Sequence, residues 1–299
     1  MGEQLLGCIE AGGTKFVCAL SRGGKLLPDR ARFETRDPAA TLGAVRAWFA
    51  RAEARHGGID AFGIGSFGPI DRDPRSRAWG SIRNTPKPGW SNISIVDAIR
   101  EAFPVPIGFD TDVNAAAMAE ASIGRHSGIV VYITVGTGIG GGIVADGVPL
   151  DGLCHPEMGH FYPPRHPADL AFAGRCPFHG ACLEGLASGS AIIDRWGKPL
   201  SQLPADHEAL DIIAFYLAHL AIGLIATLSP HRIAFGGGVM NTPGLIERIR
   251  AQSGALHAGY QFDAGQLAAT IDKTCLGDNA GLLGAMLLAQ RAWAAINPY

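Results

Sequence analysis

One supersecondary pattern occurs twice in this chain, and that duplication limits the folds open to it more than any other feature. Leu5 to Glu10 is a short apolar run, Ala11-Gly12-Gly13-Thr14 a glycine-rich turn, and Phe16 to Leu20 a second β run. Together they predict a hairpin. About one domain further on, Ile129 to Val135 leads into Gly136-Thr137-Gly138-Ile139-Gly140-Gly141-Gly142 and resumes at Ile143 to Ala145. Each copy then runs into another tight turn, Gly23-Gly24 in the first and Asp146-Gly147 in the second. A unit repeated at matched positions implies a two-lobed fold built by duplication. The 299 residues accommodate two lobes of roughly 150 residues each.

Between and after the hairpins, strands alternate with helices. Asp37 before Pro38 reads as an N-cap with a first-turn proline. Leu42, Val45, Trp48, Phe49 and Ala52 then share one helical face, and Gly57-Gly58 stops the helix. Ile59 to Ser66 reads as a strand, Phe67-Gly68-Pro69 as a turn, and Arg72 to Trp90 as a long loop of the functional kind. A strand at Val105 to Phe109 precedes an Ala-rich helix, Asn114 to Ser122. Past an irregular stretch, His155 to Leu183, the chain predicts helices at Glu184 to Trp196 and Asp206 to Leu228 and a strand at Ile233 to Phe235. A helix at Leu245 to Arg250, a strand at Leu267 to Ile271 and a closing helix at Asn279 to Ala295 follow. The class is α/β. The expected division is a smaller N-terminal lobe, residues 1–113, joined by the end of the closing helix (284–299), and a larger lobe, 114–283.

Composition narrows the function. At 47% hydrophobic and 17% charged, the chain is neither disordered nor a coiled coil. A net charge of −2 without a Lys/Arg cluster argues against a nucleic-acid partner. The start, Met1-Gly2-Glu3-Gln4, has neither the basic nor the apolar region of a signal peptide, and Leu6 breaks the myristoylation pattern. The apolar run Ile212 to Leu228 is read as a buried core helix, not a membrane span, being only about 17 residues long. A cytoplasmic, reducing location is expected. There, clustered Cys and His point to a metal rather than to disulfides.

Five groups of residues carry chemistry. Phosphate oxygens need converging N–H donors, and only residues without a Cβ let the backbone approach closely, so the paired glycine–threonine turns are phosphate candidates rather than mere tight bends. They are not a Walker A loop, and they join strand to strand where a Rossmann turn joins strand to helix. Glu10 beside the first turn is placed to hold Mg²⁺ through water. Gly236-Gly237-Gly238, at the carboxyl end of a strand, is either a platform for adenine or ribose or a helix-entry turn. Asp110 and Asp112 end a strand before a helix, where a carboxylate can take a hydroxyl proton; for Asp112 the competing role is an N-cap. Glu157 and His160, with Glu184, suit a polyol. Cys176, His179 and Cys182 with an upstream His160 make a four-ligand structural zinc site, with His155 and His166 competing as the fourth ligand and a Cys176–Cys182 disulfide as the alternative. Cys8 and Cys18 read as core residues.

These segments together resemble the ROK family of sugar kinases and repressors, and most nearly its bacterial fructokinase branch. The resemblance is carried by Glu10-Ala11-Gly12-Gly13-Thr14-Lys15, Asn84-Thr85-Pro86, Asp112-Val113-Asn114-Ala115-Ala116-Ala117, Thr137 to Gly142, Glu157-Met158-Gly159-His160, Cys176 to Ser188 and Gly236 to Gly238. It implies two actin/hexokinase-like (ribonuclease H-like) lobes with a zinc loop at 155–183, a homodimer, and phosphorylation of a hexose by ATP. Fructose is the hexose it favours; mannose or glucose, and a catalytically silent sugar sensor, are the alternatives. It further implies Asp112 as general base, and ATP held by Gly12, Gly13, Thr14, Lys15, Thr137, Gly138, Gly236, Gly237 and Gly238. Sugar would be held by Asn84, Asp112, Glu157, His160 and Glu184, and zinc by His160, Cys176, His179 and Cys182. Three departures from the family pattern stand out: Glu10 where many members have Asp, Thr111 where Asn is common, and Cys176-x-x-His179 where Cys-x-Cys is common. They favour the fructokinase branch over glucokinases. Related repressors carry a DNA-binding helix-turn-helix ahead of the first hairpin; with the first strand beginning by Leu5, that role is not expected.

Overall fold

The computed structural model describes residues 3–298; Met1 and Gly2, part of the stretch read above for a leader, lie outside the described residues. The chain divides into two compact units. One runs through Ala119 and includes Asp151–His155 and the chain from Asn279 onward; the other comprises Glu120–Leu150 and Pro156–Asp278.

The first unit is built on a five-stranded sheet of order β3-β2-β1-β4-β5. Its strands are β1 (Leu5–Ala11), β2 (Lys15–Arg22), β3 (Lys25–Glu34), β4 (Ala61–Ser66) and β5 (Ile107–Thr111). The expected hairpin pairs β1 with β2 antiparallel, while β4 and β5 run parallel to β1 and to each other. Gly23 and Gly24, at φ 58° and 72°, turn β2 into β3 with the double left-handed geometry of a tight hairpin.

Helix α1 (Pro38–His56) starts as the sequence predicts: the Asp37 carboxylate accepts from Ala40 N–H at 2.9 Å, and Gly57 ends the helix at φ 99°. A short α2 (Ile95–Arg100), capped by Ser94 on Asp97 N–H, was not foreseen. One sheet face packs Ile9, Phe16, Phe62 and Ile64 against Phe49, Ile82, Trp90 and Ile95. Each such side chain contributes about 1.5–3 kcal/mol on burial.

The opposite face is cleared of side chains for helix α9 (Ala280–Ile296). A Cβ at Gly63 would overlap the Ala285 carbonyl, and one at Gly108 the Leu288 carbonyl. Cys8 and Ala19 fill the remaining space against Leu282, Ala285 and Met286, so Cys8 and Cys18 are core residues as expected.

The second unit repeats the plan, with sheet order β10-β9-β6-β7-β8. Here β6 (Ile129–Val135) and β7 (Ile139–Ala145) form the hairpin, β8 (Val148–Pro149) extends it, and β9 (Arg232–Gly236) and β10 (Ile271–Lys273) add in parallel. Strand for strand this is the order of the first sheet: β6 answers β1, β7 answers β2 and β9 answers β4. Its turn Asp146-Gly147, with φ 48° and 79°, repeats Gly23-Gly24.

Five helices accompany this sheet: α4 (Leu183–Ala187), α5 (Gly189–Trp196), α6 (Glu208–Leu228), α7 (Leu245–His257) and α8 (Ala264–Thr270). The apolar α6 is the one helix among the described residues long and apolar enough to cross a membrane, but Leu210, Ile213, Tyr216, Leu217 and Leu220 pack into the unit's core.

Two expectations fail here. Residues 267–271 are not a strand: Asp263 and Gln266 form a reciprocal capping box that starts α8, and only Ile271 joins β10. The single helix expected over 184–196 breaks at Ser188, whose hydroxyl caps Ala191 N–H while Gly189 N–H donates out of the helix to the Gly136 carbonyl at 2.7 Å.

Candidate active site

In the first unit, the three-residue turn Gly12-Gly13-Thr14 joins β1 to β2. Both glycines keep φ outside the left-handed region, and only Gly12 is required by close approach: a Cβ there would sit 2.8 Å from the Lys15 carbonyl, which accepts from Gly12 N–H at 2.9 Å, whereas one at Gly13 would meet only Phe67 at 3.8 Å. Thr35 locks the turn from outside, its hydroxyl donating to the Gly12 carbonyl at 2.6 Å and its N–H to the Thr14 carbonyl at 2.9 Å. Thr14 and Lys15 are exposed. Sequence reading missed Thr35, because its partners are remote in the chain and a single Thr has no periodic signal.

Across the sheet, Glu10 pairs in register with Gly65 and Gly65 with Asp110, so the two carboxylates share a face near the carboxyl ends of the parallel strands. It is the face that Gly63 and Gly108 open to α9. Helix α3 (Asp112–Ser122) begins directly after β5. Its cap is Thr111, whose hydroxyl accepts from Asn114 N–H at 3.0 Å. The N-cap role weighed for Asp112 therefore falls to Thr111, and the Asp112 carboxylate accepts from Val113 N–H at 2.9 Å.

Asp110 braces the junction: one carboxylate oxygen takes Thr111 N–H at 2.7 Å and the Asn114 side-chain amide at 2.8 Å, and the other faces Arg72 at 3.6 Å. Burial pushes Asp112 up to about 6 from its ordinary 3.8, which places a proton acceptor near neutral pH. Burial also raises Asp110, against the lowering pull of Arg72 and Asn114.

Asn84 is exposed on the Arg72–Trp90 loop. That loop is irregular, as expected, and pinned by a fully buried Trp90 whose indole N–H donates to the Arg36 carbonyl at 2.7 Å.

In the second unit, the turn Gly136-Thr137-Gly138 joins β6 to β7, with Thr137 exposed. Glu184, in the first turn of α4, accepts from Ile139 N–H, and a Cβ at Gly138 would crowd that carboxylate. The short helical turn Met158–His160 lies on β7 because Gly159 is bare: any side chain there would overlap the Ile139 carbonyl. This turn leaves Glu157 exposed and His160 half-buried. Gly236 ends β9 against the Tyr132 ring, and Gly237, at φ 90°, packs on the Val135 backbone. Gly238 then enters a short helical turn, Gly238–Asn241, so the helix-entry reading of these glycines holds as local geometry.

His160, Cys176, His179 and Cys182 bring one ligand atom each within 4.8 Å of one another. The His160 Nδ1 lies 3.8 Å from Cys176 Sγ and 3.5 Å from Cys182 Sγ, and His179 Nδ1 lies 3.7 Å from Cys176 Sγ. Ligands at about 2.0–2.3 Å around a tetrahedral zinc are separated by roughly these spacings. Mutual hydrogen bonds between Cys176 and Gly180, with Gly180 at φ 55°, fold the loop that gathers them.

The competing fourth ligands are elsewhere. His155 Nε2 accepts from Ile70 N–H at 3.1 Å in the first unit, and His166 Nδ1 caps Ala168 N–H. All six cysteines are free, so the Cys176–Cys182 disulfide is not formed. Glu120, His126 and Cys275 also converge, but there the Arg232 guanidinium, 3.8 Å from Glu120, already supplies a cation.

Two five-stranded sheets of one strand order, each turned at its hairpin by glycine and threonine, define the duplicated α/β class of actin-like and hexokinase-like proteins. Within it, the model of the ROK family matches residues 6–292, and the chain belongs to that family. It is 48% identical to the fructokinase of Zymomonas mobilis, over 97% of this chain and 98% of the relative. It is 39% identical to the fructokinase of Pediococcus pentosaceus, over 97% and 99%. Among solved structures, the ROK hexokinase of Thermus thermophilus superposes with a TM-score of 0.76 at 29% identity, covering 96% of this chain and 98% of that one. The ROK family glucokinase of Streptomyces griseus, in complex with glucose and AMPPNP, shares the fold at a TM-score of 0.77 and 23% identity, over 97% and 100%.

Proposed function

We propose that the chain transfers the γ-phosphoryl group of ATP to a hexose, converting D-fructose to fructose 6-phosphate. The observation that carries this reading is Asp112: a carboxylate that opens α3 directly after the carboxyl end of a parallel strand, in a chain nearly half identical to a fructokinase along its whole length.

Asp112 accepts the proton of the 6-hydroxyl as that oxygen bonds to the γ-phosphorus and the bond to the β,γ-bridging oxygen breaks, releasing ADP. Gly12, Gly13, Thr14, Lys15, Thr137 and Gly138 bind the phosphates through backbone N–H groups and hydroxyls. Gly236, Gly237 and Gly238 take the adenosine. Asn84, Glu157, His160 and Glu184 orient the sugar, and a site built to pair its hydroxyls rejects analogues lacking them.

Glu10 is the carboxylate of the first turn and suits Mg²⁺, which takes few protein ligands and keeps its waters; the ion would neutralise charge on the phosphates. The two-thiol, two-imidazole set suits zinc as a closed structural site held by His160, Cys176, His179 and Cys182. His160 turns Nδ1 to the thiols, which leaves Nε2 for a sugar hydroxyl. We also expect a homodimer.

The test is a panel of hexoses with Mg²⁺ and ATP, reading initial rates of ADP release. Fructose should give the highest kcat/KM. A higher value for mannose or glucose would reassign the substrate, and sugar binding without ADP release from any hexose would identify a sensor.

A further inference from the structure

Glu10 occupies a space that only a glycine leaves open. Gly281 is the second residue of α9, and a Cβ built on it would overlap the Glu10 Cδ and stand 2.7 Å from both Cγ and Oε2. Nothing in the backbone asks for glycine there: Gly281 is helical and its φ is not left-handed. Alanine would favour the helix by about 1 kcal/mol. The positive end of the helix dipole at this turn also suits a carboxylate.

We propose that Gly281 and the first turn of α9 are the positioning element for Glu10, aiming its carboxylate along the carboxyl ends of the strands, toward the ion that accompanies ATP. The proposal rests on the kinase reading for the identity of that ion. Because the crowded atoms belong to the end of a flexible side chain, a methyl at position 281 should displace Glu10 and not the helix.

The experiment compares wild type, Gly281→Ala and Glu10→Gln. Mn²⁺ affinity is read by electron paramagnetic resonance with AMPPNP present, alongside Tm of the metal-free chain and kcat with fructose. Gly281→Ala should hold or raise Tm, weaken Mn²⁺ binding roughly tenfold and lower kcat in step. Glu10→Gln, which removes the charge at the same bulk, should weaken Mn²⁺ binding at least as much. Unchanged Mn²⁺ affinity in either variant, or a Tm loss of several degrees in Gly281→Ala, would overturn the positioning role. Those outcomes in a wild type that turns over leave the kinase reading intact; a wild type that binds no Mn²⁺–nucleotide overturns both.

Discussion

The carboxylate of Glu184 accepts a hydrogen bond from the backbone N–H of Ile139 at 2.9 Å. It thereby fastens the first turn of α4 to the glycine–threonine turn of the second hairpin, so one side chain proposed to bind sugar also shapes a loop proposed to bind phosphate. Glu184→Ala removes both functions, and KM for ATP and for fructose should each rise about 10- to 100-fold, the cost of losing a charged hydrogen-bond partner. Glu184→Gln keeps an oxygen for Ile139, so KM for ATP should stay near wild type while KM for fructose rises. Steady-state kinetics with each substrate varied separates the two functions.

Asp112 gives opposite signs for activity and stability. As a base it must be ionised, so kcat should fall about tenfold per pH unit below 6. Its folded value lies above the ordinary 3.8, so the folded state holds the proton more tightly. The resulting stability is fully present below pH 3.8 and is lost as pH rises through about 6. At pH 7 the charged carboxylate costs up to about 3 kcal/mol. Asp112→Asn should therefore lose at least about 100-fold in turnover, keep ATP and sugar binding, and melt a few degrees higher at pH 7. Near-wild-type turnover would remove Asp112 from the mechanism.

Metal removal probes the loop around His160. The chain is expected to carry one zinc per copy. Verified chelation should loosen residues 160–182, increasing amide exchange there, lowering Tm and raising KM for fructose through the loss of His160. Cys182→Ser should reproduce the loss without chelator. Unchanged melting and activity after the zinc is gone would count against the site.

The glycine-cleared sheet face sets a stability test independent of chemistry. Gly63→Ala drives a methyl into the Ala285 carbonyl, and backbone has no rotamer through which to yield. The expected loss is about 1–3 kcal/mol, read by denaturant unfolding. Gly43→Ala, on α1 with nothing within 4 Å of its built Cβ, should instead be neutral or stabilising.

Much of this was legible in the chain because the signals are local. Asp37-Pro38 marked the start of α1, Gly57 its end, and the spacing of Cys176, His179 and Cys182 marked a loop that closes on itself. The repeated hairpin gave the duplication, since equal turns between β runs need no distant information. The misreadings are cases where a local apolar run met a stronger or more distant constraint. Residues 267–271 look like a strand until the Asp263–Gln266 box is weighed, and the break at Ser188 depends on a carbonyl at Gly136 about fifty residues upstream.

What the sequence determined by itself is the inventory: which carboxylates, thiols and imidazoles exist, and which short turns present them. Tertiary structure alone decided their assignments. It kept His155 with Ile70, fastened Glu184 to Ile139, and set Glu10 against Gly281 across the length of the chain. The physical reason is that burial, carboxylate tuning and steric room arise from atoms brought together by packing. No spacing rule along a strand or helix reaches across a sheet to a helix some 270 residues away.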